Sequence, residues 1–248
     1  MLQIIFRGLE MMELDATETE LEDTTDDQKW TVTRASGTLL QEVAMLIGNA
    51  IWSPVINTAT QKLTSPQWMD QYVGMTALGS ILQGPDPAML YTQMETVYPD
   101  IFTMFNTSEV ARVRYVTGWV IQLIAKNVPA LVFKSRENLE LLINSGCTHL
   151  EQDHSTIRGF MANAFSDIFE AAARMDQKPI LNSYFNNMIS AMMNIQFSNE
   201  ALKTEQFLAI SGAICTCFEL CDAANLREQT MGMLNDLLAK VSTFIEQH

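Results

Sequence analysis

The sequence predicts an all-α fold, a right-handed α-solenoid built from antiparallel helix pairs. Three observations lead to it. Apolar side chains recur at helical spacing in segment after segment, separated by short polar stretches. Only 11 Gly and 7 Pro occur in 248 residues of which 48% are hydrophobic, a composition that favours helix and can bury a large core. A similar run of residues also returns in the first helix of each pair.

The periodicity predicts the order of the helices. A first helix covers about 2–14, and an acidic stretch follows it and ends at Trp30. Helix pairs are then predicted at about 31–47 and 50–63, 66–83 and 87–105, 109–127 and 134–150, 154–174 and 178–196, and 200–222 and 225–246. Pro66, Pro87 and Pro179 fall where first turns are expected, a position that tolerates proline because no helical N–H is lost.

A repeated signature divides the chain. A glycine followed by apolar positions recurs in the runs ASGTLLQEVA, TALGSILQGP, VTGWVIQLIA, ANAFSDIFEA and ISGAICTCFE. The glycines are Gly37, Gly79, Gly118 and Gly212, and Asn163 takes the place of the glycine in the fourth run. Successive separations are 42, 39, 45 and 49 residues, which is typical of two-helix HEAT or armadillo repeats. A small residue in mid-helix lets a neighbouring helix approach closely.

We therefore assign residues 1–29 to a helix of a preceding repeat plus the acidic stretch, and 30–248 to about five HEAT repeats. Their predicted bounds are 30–63, 66–105, 108–151, 153–196 and 199–247.

The charge is uneven. The chain carries 29 acidic and 15 basic residues, a net charge of −14, which disfavours nucleic acid as a direct partner and favours a basic protein segment. Residues 1–30 hold nine acids and two bases, half of the excess. Glu22, Asp23, Asp26 and Asp27 precede Trp30, whose ring face suits Lys or Arg. Solubility alone also explains an acidic surface, and a solvated loop also explains the cluster.

A polar stripe is predicted on one second helix. Asn182, Asn186, Ser190 and Asn194 follow at intervals of four residues. Two interpretations remain open: an ordinary solvated face, or a concave ladder of side-chain amides that binds a peptide.

Catalytic chemistry is not predicted. The sequence has no dinucleotide, P-loop, nucleophile-elbow or HExxH motif, so we expect neither an enzyme nor a cofactor. His149 and His154 lack the companions of a metal site. The four cysteines, Cys147, Cys215, Cys217 and Cys221, are expected to be buried, reduced thiols. No apolar run reaches the roughly 18 to 20 residues of a membrane span, so no membrane insertion is expected.

Several runs resemble the importin-β (karyopherin-β) family. SPQWMDQYVGMTALGSILQGPDP is similar to one of its HEAT repeats, with Gly84, Pro85 and Pro87 matching the family's hinge. VARVRYVTGWVIQLIAKNVP resembles the opening of the next repeat, with Arg114 and Trp119 in register. The acidic run before Trp30 resembles the family's acidic loop, although here it is diluted with Thr. The resemblance covers about 24–173, and Asn163 departs from the tryptophan common in the family.

The resemblance implies a central segment of a nuclear transport receptor. Its implied partners are the basic segment of importin-α, cargo proteins, phenylalanine-glycine nucleoporins and the GTPase Ran, and its implied location is cytoplasm, nucleus and nuclear pore. A monomer is expected. Trp119 is either a ligand contact, as its family counterpart is, or a core residue. The alternative function is a HEAT or armadillo scaffold or regulatory subunit unrelated to transport.

Overall fold

The computed structural model describes residues 1–11, 31–197, 204–222 and 226–247. This part of the chain is helical, with no β-strand, and it includes a short 3₁₀ helix, Gly48–Ile51. The α-helices are α1 (Leu2–Glu10), α2 (Val32–Ile47), α3 (Trp52–Leu63), α4 (Trp68–Ser80), α5 (Pro87–Met94), α6 (Tyr98–Thr107), α7 (Ala111–Asn127), α8 (Pro129–Val132), α9 (Arg136–Gln152), α10 (Ser155–Arg174), α11 (Lys178–Leu181), α12 (Phe185–Gln196), α13 (Thr204–Leu220) and α14 (Arg227–Gln247).

The helices form two compact units, Met1–Asn138 and Leu139–His248, and the boundary falls inside α9. In the first unit α4 is central, since it packs on α1, α2, α3 and α7. Two backbone contacts are very close there. A Cβ atom at Gly74 would lie 2.9 Å from the carbonyl oxygen of Ala59, and one at Gly84 would lie 2.0 Å from that of Ala44. Glycine is therefore required at both places for the backbones to meet.

The second unit is organised around α10 and α13, which pack on each other, with α12 also packed on α13. Phe185 joins these elements. Its ring meets Phe169 of α10 at 6.1 Å and Phe218 of α13 at 5.7 Å between centroids, both edge to face. Such pairs stabilise a core beyond the apolar area that they bury.

The structure corrects the predicted second helices. The predicted helix 87–105 is divided into α5 and α6, and the predicted helix 178–196 into α11 and α12. Pro87 begins α5 and Pro179 lies in the first turn of α11, as predicted, but Pro66 precedes the N-cap Gln67 of α4. The break after α11 comes at Asn182 and Ser183, residue types that favour turns because their side chains compete for backbone hydrogen bonds. The proposed division into five repeats stays a prediction.

One result differs from the expected absence of a membrane-spanning stretch. Val32–Leu63 is long and apolar enough to qualify by length and composition. It is not one regular helix, because Gly48, with φ of 58°, and the 3₁₀ helix interrupt it. A single stretch of this kind is a weak indication, since core helices pass the same test.

A three-residue ion cluster ties α1, α3 and α4 together. Lys62 Nζ lies 2.7 Å from Glu10 Oε1 and 2.7 Å from Asp70 Oδ1, and the Ser65 hydroxyl donates to Asp70 Oδ2 at 2.8 Å. The hydrogen bonds from Lys62 and Ser65 lower the pKa of Asp70 below its ordinary value. For Lys62, partial burial lowers the pKa, but the bonds to Asp70 and Glu10 outweigh it and raise the pKa overall.

These pKa directions give a pH-dependent prediction. A carboxyl whose folded pKa is depressed stabilises the fold above its unfolded pKa, and the contribution is lost as pH falls through the folded value. Asp70→Asn should therefore lower the free energy of unfolding at pH 7 by about 0.5 to 1 kcal/mol, a small value because the pair is partly exposed. The difference from the unmodified chain should shrink below about pH 4. Urea titrations at pH 7 and pH 3.5 measure it. Glu219→Gln, at an exposed carboxylate of α13 outside the described ion pairs, is the control; a deficit equal at both pH values would contradict the prediction.

A second prediction concerns Gly79 and Gly212, two glycines of the repeated signature. A Cβ atom at Gly79 would lie 2.3 Å from Cζ3 of Trp119, whereas no atom of the described residues lies within 4 Å of a Cβ at Gly212. The close approach expected at every signature glycine is therefore found at Gly79 and not at Gly212. Gly79→Ala should destabilise the chain by about 1 to 3 kcal/mol through overpacking.

Gly212→Ala is the matched control. Position 212 lies in the middle of α13 with open space around it. Alanine there should leave the free energy of unfolding unchanged or raise it by up to about 1 kcal/mol, because alanine is the better helix former. Thermal and urea unfolding followed by circular dichroism compare the two. Equal effects of the two substitutions would show that Trp119 does not restrict position 79.

Candidate protein-binding surface

The polar stripe of the second unit is shorter than predicted. Asn186, Ser190 and Asn194 are exposed along α12 at intervals of four residues. Asn182 is not on this helix but in the turn before it, half-buried, where its Nδ2 donates to Asp222 Oδ2 at 3.3 Å. The amide of Asn182 is thus engaged in a contact within the chain, and the exposed stripe consists of the three residues on α12.

A groove of about 360 Å³ lies beside this stripe, between α12 and α14. Its lining combines amide, hydroxyl, thioether and charged groups: Ser190, Met193, Asn194, Met233, Asp236, Ala239 and Lys240. One described polar contact crosses it, from Lys240 Nζ to Asn194 Oδ1 at 3.5 Å. Volume and mixed lining suit a short length of peptide better than a large cofactor.

The residues on α14 were missed by the sequence reasoning. Asp236 and Lys240 are four residues apart and resemble an ordinary solvated helix pair. They become part of one groove only because α14 lies beside α12, and nothing in the sequence indicates which helices are neighbours.

Trp119 lies on α7, a first helix, and is half-buried. Its six-membered ring covers Gly79 of α4, which leaves no room for a side chain at position 79. α4 and α7 are directly packed. This position favours the structural role for Trp119, and a role in ligand binding stays a prediction.

The acidic candidates lie outside the described residues. Glu22, Asp23, Asp26, Asp27 and Trp30 all fall within 12–30. Their part in a binding site stays a prediction.

The histidines form a capping cluster where α9 meets α10. His149 Nδ1 lies 2.9 Å from Asp153 Oδ2, and Asp153 Oδ1 accepts the backbone N–H of His154 at 2.9 Å. His154 Nδ1 in turn accepts the N–H of Thr156 at the start of α10. Among the described residues, no group of three or more His, Cys, Asp or Glu side chains could hold a metal ion.

The cysteines are free thiols, but one of them corrects the prediction that all are buried. Cys217 and Cys221 are buried and Cys147 is half-buried, whereas Cys215 is exposed on α13. Burial raises the pKa of the Cys147 thiol to about 11 and raises that of Cys217 as well. Those two thiols are therefore poor nucleophiles.

Comparisons with known proteins show a similarity to importin-β in both sequence and fold. No protein-family model matches the chain. Importin subunit beta-1 of Saccharomyces cerevisiae is 27% identical over 159 residues, covering 64% of this chain and 18% of the relative. Importin subunit beta-1 of Schizosaccharomyces pombe is 25% identical over 175 residues, covering 68% and 20%. The structure of yeast importin-β (Kap95p) matches with a TM-score of 0.81 at 20% identity, over 98% of this chain and 26% of that one. The chain is therefore similar in sequence to part of importin subunit beta-1, and its fold is that of a karyopherin HEAT-repeat solenoid.

The α-solenoid of HEAT repeats predicted from the sequence is thereby confirmed. The chain spans about a fifth of the length of the curated relatives that it matches. Matching structures also include Kap95p with RanGDP, the Kap95:Nup1 complex, and Kap121p bound to Nup53p and to Pho4p.

The contact between Trp119 and Gly79 gives a third prediction. Trp119→Ala should lower the free energy of unfolding by about 2 to 3 kcal/mol, below the range for a fully buried tryptophan because this ring is half-buried. Since the substitution also empties the space above position 79, Gly79→Ala should cost less in the Trp119→Ala background than in the unmodified chain. A double-mutant cycle in urea measures this coupling. Additive effects would mean that the two residues do not interact, and would reopen the ligand-binding role of Trp119.

Proposed function

We propose that the chain is a segment of a nuclear transport receptor that binds a basic importin-α-type segment or a basic cargo segment. The observation that carries the proposal is the coincidence of two features. Residues 1–30 have a net charge of −7, and repeats of the importin-β family follow directly. A dense negative charge next to a folded binding surface attracts a basic segment over long range and raises its rate of association.

The relatives support the same class of function. Both curated relatives are importin subunits, and the matched karyopherins have been solved with Ran, with nucleoporins and with Pho4p. Ran, nucleoporins and cargo are therefore further proposed partners, and the cytoplasm, the nucleus and the nuclear pore are the proposed locations. The scaffold alternative has no relative among these matches to support it.

We assign the capture of the ligand to three groups of residues. Glu22, Asp23, Asp26 and Asp27 act through long-range attraction, because single surface ion pairs are worth only about 0.2 to 1 kcal/mol each. Trp30 gives a short-range contact for a Lys or Arg side chain. Asn186, with the rest of the exposed stripe on α12, presents amides that can pair with the backbone of a bound segment. Asn182 already bonds Asp222, so we propose only a supporting role for it.

The test replaces Glu22, Asp23, Asp26 and Asp27 by Gln or Asn and measures binding of a basic importin-α-type amino-terminal peptide by surface plasmon resonance at 50 and 200 mM salt. The association rate should fall roughly tenfold at low salt, and its dependence on salt should flatten, because the field that steers the peptide is weakened. Trp30→Ala should instead speed dissociation.

A charge-matched control separates the local effect from that of net charge. Neutralising Glu109, Asp176, Glu205 and Glu228, which are exposed elsewhere, removes the same four charges. Association should then fall much less than with the acidic-stretch variant. If the two variants slow association equally, total charge and not the acidic stretch attracts the peptide; if neither slows it, the stretch is a passive linker.

A further inference from the structure

Two serines of the chain are followed directly by proline, the residue pair that proline-directed protein kinases recognise. They are Ser53 and Ser65, and none of the other five prolines follows a serine or a threonine. Such kinases bind the residues around the hydroxyl in an extended conformation, which proline favours in the residue before it. Ser53 is exposed but lies in the first turn of α3 with helical backbone on both sides, whereas Ser65 lies in the turn between α3 and α4. Only Ser65 can therefore be presented to a kinase without unwinding a helix.

The turn that contains Ser65 is at the surface and is held by a few local hydrogen bonds. Pro66 and Gln67 are exposed, and Ser65 is half-buried. The Ser65 hydroxyl donates to Asp70 Oδ2 at 2.8 Å and accepts the Gln67 N–H at 3.2 Å, and Gln71 Nε2 donates to the Ser65 carbonyl at 3.0 Å. All of these partners lie within six residues of Ser65, so the turn can open locally while α3 and α4 stay packed on each other.

The Ser65 hydroxyl belongs to the ion cluster in which one cation serves two carboxylates. Lys62 bonds both Glu10 and Asp70, so the cluster already holds two negative charges and one positive charge. A phosphate on Ser65 would add about −1.5 to −2 more at pH 7, attract Lys62 and repel both carboxylates. Glu10 is the carboxylate that is free to leave, because its side chain is 46% exposed at the last residue of α1, whereas Asp70 is fixed in the first turn of α4.

We propose that Ser65 is a phosphorylation site for a proline-directed serine/threonine kinase, and that the phosphate releases the end of α1 from α3. The Ser65 Oγ attacks the γ-phosphorus of ATP, its proton passes to a carboxylate of the kinase, and ADP leaves with the electrons of the broken P–O bond. The phosphate ester then takes Lys62 from Glu10. This inference concerns the regulation of the fold and does not depend on which ligand the chain binds.

The first test treats the whole 248-residue chain with ATP, Mg²⁺ and a cyclin-dependent kinase, and maps the phosphate by mass spectrometry of peptides. Ser65 should be modified and Ser53 should not. Ser65→Ala and Pro66→Ala should each abolish the modification, and Ser53→Ala, the matched control, should leave it unchanged. Circular dichroism confirms that each variant is folded. A chain that stays unmodified at Ser65 overturns the proposal, and a peptide of residues 59–72 treated in parallel shows whether the motif or the fold prevents the reaction.

The second test compares amide hydrogen exchange of the phosphorylated and the unmodified chain. Amides in the last turn of α1 should exchange roughly two- to fivefold faster after phosphorylation, as expected for loss of one partly exposed ion pair. Amides of α13, which belongs to the other unit, should not change. Raising the salt from about 50 to about 500 mM should reduce the acceleration, because salt screens the repulsion between the phosphate and Glu10. Unchanged exchange in α1, or an acceleration that salt does not reduce, would overturn the release of α1 by charge.

Two variants separate the added charge from the lost hydroxyl. Glu10→Gln breaks the bond to Lys62 without a phosphate, so it should reproduce the faster exchange of α1 and show no further increase when it is phosphorylated. Ser65→Ala removes the hydroxyl and adds no charge, so α1 should exchange at the rate of the unmodified chain. If Ser65→Ala instead exchanges as fast as the phosphorylated chain, loss of the hydroxyl is sufficient to release α1 and the proposed charge mechanism is wrong.

Discussion

The first unit depends on glycine positions where two stretches of backbone come into direct contact. The backbone at Gly84 lies against the carbonyl of Ala44, and the Asp86 N–H just beyond it donates to Asn49 Oδ1 at 2.7 Å. The hinge between α4 and α5 is thus held against the end of α2 by contacts that a side chain at position 84 would prevent. Packing of this kind tolerates little change of volume, because protein interiors are filled at nearly crystalline density. A repeat signature that looks loose in sequence therefore contains positions of unequal importance.

The difference in importance between these positions explains which parts of the fold the sequence predicts. The helical period and the repeat spacing are local properties, and they indicate the helix pairs and their order correctly. The break at Asn182 is less visible, because the apolar spacing of Leu181, Phe185, Met188 and Ile189 continues through it as if the helix were uninterrupted. What each signature glycine touches depends on the neighbouring helix, so Gly79 and Gly212 look equivalent in sequence and differ in structure.

The candidate site divides in the same way. Charge and amide content are read directly from the sequence, and they single out the acidic stretch and the α12 stripe. The role of Trp119 could not be predicted from the sequence, because a tryptophan between Gly118 and Val120 suits either a surface or a core. The structure favours the core because the ring lies over Gly79. The groove could not be predicted from the sequence either, because its two walls belong to helices some forty residues apart in the chain.

The distribution of charge links these observations to a binding mechanism. Residues 31–138 carry seven acids and seven bases and are neutral, so the net charge of −14 comes in equal parts from 1–30 and 139–248. Long-range attraction brings a basic segment near but holds it in no defined register, because charges act over roughly 8 to 10 Å in physiological salt. The position of the bound segment along the surface has to be fixed by short-range contacts between groups of complementary shape. Apolar burial and amide pairing are effective only on contact, so charge and side-chain fit can act at different stages of one binding event.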